Sequence, residues 1–222
     1  MGLFDFLKPK SKRSWYYTED EIAACEQYLE QCHGKIESVF HEVLSPDVHI
    51  DVILIPPSEE MNCYKLVTTG MGAYSMNIPR ELKGKVADRA ELVIFLPSDW
   101  DVKSRDEKDY WPIRTLKSLA RYPLHYNTWL GNGHTIVSSS GEAYAENNKL
   151  CGSLLLQALD SNWKPMKLKL SEGKEIQYLQ VFPLYKEEMD FKVSHSAQEL
   201  LNLFKKNGID IVVDIRRKNA CE

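Results

Sequence analysis

The run Ala90-Glu-Leu-Val-Ile-Phe-Leu96 constrains the fold of this chain more than any other stretch, since all of it but Glu91 is apolar. A strand with one wet face alternates apolar and polar residues, whereas a strand buried on both faces reads as a nearly continuous apolar run. The segment therefore predicts a central strand in a sheet covered on both sides.

Further strands are predicted around it. Val48-His-Ile-Asp-Val-Ile-Leu-Ile55 is rich in β-branched residues and stops at Pro56-Pro57, and Tyr64 to Thr69 is closed by Gly70. A short strand is read at Gly133 to Val137, with others at Leu150 to Leu156, Ile176 to Phe182 and Ile209 to Ile215. Thr18 and Glu21 form a capping box, and Ile22, Cys25, Leu29, Ile36, Val39, Phe40 and Val43 repeat at helical spacing, so one helix is expected to run to Ser45-Pro46. A second helix is expected from Trp111 to Arg121, with Pro112 in its first turn and Pro123 beyond its stop. Ser196 and Glu199 open a last one, with Leu200, Leu203 and Phe204 inward and Gly208 at its C-cap. Tyr126 to Asn148 reads as loops. This irregular interleaving predicts an α/β (α+β-like) fold, a mixed β-sheet flanked by helices, as one domain over 16–222 behind a basic, loosely ordered leader at 1–15.

Composition narrows the function classes. The formal net charge of −4 argues against a binder of nucleic acid, which needs a cationic surplus. Five scattered cysteines suit reduced thiols, no apolar run spans a bilayer, and the start lacks a signal-peptide cleavage site, which together predict a cytoplasmic protein without membrane attachment. Phe6 also stands where a myristoylation signal needs Ser or Thr.

Catalytic and metal motifs are sparse. The sequence has no C-x-x-C, no H-E-x-x-H and no G-x-S-x-G, and Cys25 and Cys32 fit the apolar stripe of the first helix, so no metal or cofactor and no catalytic residue is expected. Cys151 could meet His134 as a Cys–His pair, or His134 could work with Asp99; both readings belong to an undetected hydrolase. Gly131-Asn-Gly133 lacks a nucleotide cradle and reads as a tight turn. Glu187-Glu188 reads as a solvated helix face.

The densest feature is aromatic. Trp100, Trp111, Trp129 and His134 fall in segments rich in Gly, Pro and Asn, with Asn77 and Asp99 as candidate polar neighbours. They form a candidate protein-binding face, since tryptophans on loops make rigid apolar anchors. The alternative is that the tryptophans plug the ends of the sheet, above all Trp111, which opens a helix.

Eleven blocks in order resemble the Suppressor-of-fused (SUFU) family. Among them are Ile50-Asp-Val-Ile-Leu-Ile-Pro-Pro57, Leu96-Pro-Ser-Asp-Trp100, Leu119-Ala-Arg-Tyr-Pro123, Thr128-Trp-Leu-Gly-Asn-Gly-His-Thr-Ile136 and Pro183-Leu-Tyr-Lys-Glu-Glu188. The resemblance covers roughly residues 45–219 and implies a mixed-sheet fold without catalytic activity that works by binding another protein. Short bacterial-type members imply an immunity protein that neutralises a toxin, and the acidic balance suits a basic toxin. A signalling scaffold that sequesters a regulatory protein is the other reading the family implies.

Overall fold

The structure, a computed structural model, describes residues 15–45, 47–138 and 140–222, with residue 172 as backbone only. Residues 1–14 of the expected leader lie outside the described residues. Trp15 belongs to the body of the molecule, because its backbone pairs with that around Val48.

The centre is an eight-stranded mixed sheet. Its strands are β1 (Ser38–Phe40), β2 (Asp51–Ile55), β3 (Cys63–Thr69), β4 (Arg89–Pro97), β5 (Thr135–Val137), β6 (Gly152–Gln157), β7 (Lys167–Lys169) and β8 (Glu175–Leu184). The order is β1-β2-β3-β4-β8-β6-β5, with β7 also on β8. β4 and β8 run parallel, in register from Arg89 with Ile176 to Val93 with Gln180. The helices are α1 (Glu19–His33), α2 (Glu107–Tyr126), α3 (Lys186–Ser194) and α4 (Ala197–Lys206).

β4 is central, as its composition predicts, and its two faces enter different cores. Leu92, Ile94 and Leu96 pack with Trp111, Ile113, Leu116 and Leu119 of α2. Val93 and Phe95 pack in the cluster that holds Cys25, Leu29 and Cys32 of α1. Each such side chain contributes roughly 1.5–3 kcal/mol on burial, which is why a strand covered twice needs apolar residues at every step. Glu91, the exception, is fully buried and accepts hydrogen bonds from Tyr17 Oη (2.8 Å), Thr68 Oγ1 (2.6 Å) and the Gly70 and Gly72 amides (2.9 Å each). A third core joins β6 and β8 to α3 and α4 through Leu154, Phe182, Met189, Leu200 and Phe204.

Four expectations need correction. The first helix stops at His33, because Gly34 takes φ 97° and caps it, and the apolar spacing continuing through Val39 and Phe40 belongs to β1. Pro46, its expected terminator, lies outside the described residues. The second helix is longer than expected at both ends. Asp106 caps its start through the Lys108 amide, and it continues through Pro123, which is buried, to a left-handed Asn127. Residues 209–215 form no strand: Val213 N donates to Phe95 O, Ile211 O accepts from Gln180 Nε2, and Ile211 is half-buried. Beyond Val93, where β8 no longer pairs with β4, this segment contributes that single bond to Phe95 O and no ladder. Finally, Glu188 is not solvated. It is fully buried, and Arg217 donates to both its oxygens, at 2.5 and 2.6 Å.

Candidate protein-binding cleft

Helix α2 buries one side on the sheet and turns the other to a cleft of about 680 Å³. Its cleft-facing residues divide by helical spacing. Arg114, Lys117, Arg121 and His125 recur every three or four residues and share a basic flank, while Thr115, Leu119, Tyr122 and Tyr126 recur likewise and share a largely apolar and aromatic one. The opposite wall is the end of the sheet. Ile136 and Val137 of β5, then Ser138, Ser140, Ala143 and Tyr144 of the following loop, line it. Among the described residues β5 pairs only with β6 and stands at the edge of the sheet.

The wall is fixed to the helix. Arg114 Nη2 donates to Tyr144 O at 2.7 Å, and the Tyr144 ring stacks on Trp111 with centroids 5.0 Å apart and planes 4° apart. The Asn147 side chain donates to Lys108 O at 3.2 Å. Two of the lining side chains are uncovered: Tyr126 is 69% exposed and Val137 56%. Val43 and Leu44, which follow the lining residue Glu42 in sequence, are 94% and 83% exposed.

Charge in the cleft is mostly internally matched. Arg121 donates to both oxygens of Glu42, to Asp47 at 3.2 Å and to Val48 O. His125 Nε2 lies 2.6 Å from the second Asp47 oxygen, and Arg114 pairs with Glu107 at 2.9 Å. Burial works to raise the Glu42 and Asp47 carboxyls, but their hydrogen bonds, from Arg121 and Ser45 to Glu42 and from His125, Val48 and Arg121 to Asp47, outweigh it and hold both below the usual range. Lys117 differs. Its ammonium makes no hydrogen bond or ion pair with the described residues, and its pKa is lowered, chiefly by loss of water around it.

The residues proposed from sequence fall into separate groups. Trp111 is fully buried and sits between Trp100, edge-on at 6.0 Å, and Tyr144. Trp100 is half-buried and its indole donates to Asp109 O at 3.0 Å, while Asp99 is exposed in the turn after β4. Trp129 and His134 form their own half-buried edge-on pair, with centroids 4.3 Å apart. Gly133 there takes φ +84°, and a Cβ on Gly131 would stand 2.4 Å from the Trp129 ring. Asn77 is exposed and donates to Asn127 O. Trp111 thus reaches the cleft only through Tyr144.

His134 and Cys151 are not brought together. The β5–β6 ladder sets His134 across from Leu155 and Ser138 across from Cys151, a separation of four strand positions, roughly 13 Å. Burial raises the Cys151 thiol and lowers the His134 imidazole, the reverse of an activated pair. Tyr122 and His125 are not legible as site residues from sequence, because Pro123 marks a helix end and hides that α2 runs on to Tyr126. Tyr126 itself opens the aromatic-rich stretch that the sequence singles out, but reads there as a loop residue.

Among the described residues no helix is long and apolar enough to cross a membrane, and no cluster of His, Cys, Asp and Glu could hold a metal. None of the curated proteins compared with the chain matches it by sequence. Three solved structures share its fold. A SUFU homologue from Neisseria gonorrhoeae superposes with a TM-score of 0.65 at 20% identity, covering 91% of this chain and 98% of that one. The Sufu–Fu complex gives 0.61 at 15% identity, over 94% and 93%. Drosophila Suppressor of Fused gives 0.56 at 13% identity, over 90% of this chain and 50% of that one. The sequence profile of the Suppressor of fused protein (SUFU) family matches residues 46–218, so the chain belongs to that family.

Proposed function

We propose that this chain is a non-catalytic domain that holds a segment of a partner protein in the cleft between α2 and β5. The family works through protein interaction, and one structural relative is seen as a Sufu–Fu complex. The observation that carries the reading is the cleft itself, whose lining leaves Tyr126 and Val137 uncovered beside the edge strand β5. Apolar and aromatic side chains around a concave site supply anchoring area, and a free edge offers backbone groups to an extended segment. A toxin that the chain neutralises in the cytoplasm is the partner class we infer, supported by the chain's formal net charge of −4, which suits a basic partner. Trp129 and His134, on their own half-buried surface, remain a second candidate contact.

Photo-crosslinking tests this. A benzophenone side chain at Val137 should give one discrete protein adduct in cells that make the chain, and the same probe at Trp163, which is 70% exposed elsewhere, should give none. Equal labelling from both positions, or none from Val137, removes the cleft from the function. The captured protein, expressed alone, should arrest growth, and co-expression of this chain should restore it. A harmless captured protein ends the toxin reading and leaves the protein-holding one standing.

A further inference from the structure

We infer that the cleft selects a partner segment with an acidic residue beside an aliphatic or aromatic one, the carboxylate seated on Lys117. This rests on the cleft being the binding site, and it adds the chemistry of the occupant. The two flanks of α2 set the requirement. Tyr122, Tyr126, Leu119, Ile136 and Val137 offer an apolar strip, and the cations lie in a parallel row one helical face away. A segment filling the width of the cleft must present both characters side by side.

The cations are not equivalent. Arg114 and Arg121 already hold carboxylates, Glu107 for the first and Glu42 with Asp47 for the second. Lys117 lies among them, half-buried and without such a partner. Glu42 and Asp51 act on it only through space, and Asp51 is itself engaged by His41 (2.9 Å) and His49 (3.1 Å). An ammonium without a partner among the described residues, beside an apolar strip in one cleft, points to an occupant that brings a carboxylate next to an apolar side chain. Loss of water around Lys117 lowers its pKa, and an incoming carboxylate reverses that cost.

Selection from a random, phage-displayed heptapeptide library tests the inference. Bound phage would be counter-selected on a cleft-blocked variant, Val137→Arg with Tyr126→Ala. The peptides that depend on the cleft should carry an aspartate or glutamate at a fixed distance from an apolar residue. Replacing that acid by its amide should weaken binding to the wild type about tenfold, and Lys117→Met should abolish this preference while the amide form still binds. Cleft-dependent peptides without an acid, or an acid preference that survives Lys117→Met, would overturn the inference and leave the docking site intact. Absence of any cleft-dependent peptide overturns both. Acetate and inorganic phosphate should each bind on the order of 100-fold more weakly than the peptide. Equal binding would make the cleft a small-anion site and sink the peptide assignment.

Discussion

The cleft along α2 and the clasp around Arg217 are both rich in charged and aromatic side chains, yet they are built to opposite ends. In the clasp everything is matched. Arg217 holds both oxygens of Glu188, donates to Pro183 O, and lies over the rings of Phe182, Tyr185 and Phe204 at 5.7, 4.8 and 5.4 Å. Glu188 also accepts from the backbone amides of Tyr185 and Ala220. Its side chain is fully buried and that of Arg217 is 8% exposed. In the cleft, Lys117 has no hydrogen-bond or ion-pair partner among the described residues, and apolar groups stay uncovered. Matching on this scale serves the fold, and an unpaired ammonium in a well-fixed frame is what the inferred partner would meet.

The sharpest way to break this contrast is Arg217→Met. Removing one member of a buried ion pair strands the other, so a loss of about 3–5 kcal/mol is expected in urea denaturation. A loss under about 1 kcal/mol would reduce the clasp to an ordinary surface pair. Glu91 supplies an intermediate case, a buried carboxylate matched by neutral donors only. Burial pushes its carboxyl up to about 7, against the pull of Thr68, Gly72, Tyr17 and Gly70. An acid whose folded pKa lies above its unfolded value, here 4.5, binds its proton more tightly when folded. Its contribution is therefore greatest below the unfolded value and is lost as pH rises through the folded one. Relative to Glu91→Gln, the wild type should lose roughly 2–3 kcal/mol between about pH 5 and pH 8, read from denaturation curves at both pH values. A difference that does not change with pH would mean that the donors keep Glu91 ionised throughout. The smallest effect belongs to the cleft. Lys117→Met should alter stability by less than about 0.5 kcal/mol, because no contact made by the folded chain depends on that charge. A larger loss would make Lys117 part of the frame.

The sequence spoke clearly where one local signal had no rival. The Thr18–Glu21 capping box starts α1 with both of its hydrogen bonds in place. The uniform run at β4 is central and covered twice, with Val93 0% and Phe95 1% exposed. Where two signals competed, the rival was missed. Gly34 breaks a helical spacing that happens to continue into β1, and Pro123 normally ends a helix but here is carried inside one by its packing. A stop at Arg121 leaves His125 off the helix, so its place on a shared flank with Arg114, Lys117 and Arg121 shows only in the structure. The crowded aromatics drew attention to Trp100 and Trp111, which lie close to the cleft but beneath its wall.

By itself the sequence determined the central strand, the mixed sheet with its flanking helices, and the family, because apolar period, caps and local motifs are properties of neighbouring residues. Only the tertiary structure decided that Ile209 to Ile215 would remain outside the sheet, touching β4 through one backbone bond, Val213 N to Phe95 O, beyond the end of its pairing with β8. Only it decided that Glu188 would be buried under Arg217, 29 positions along the chain, and that Lys117 would go without a counter-charge. Whether a charge is matched depends on which distant side chains the fold brings within about 4 Å of it, and that proximity is written in no single segment.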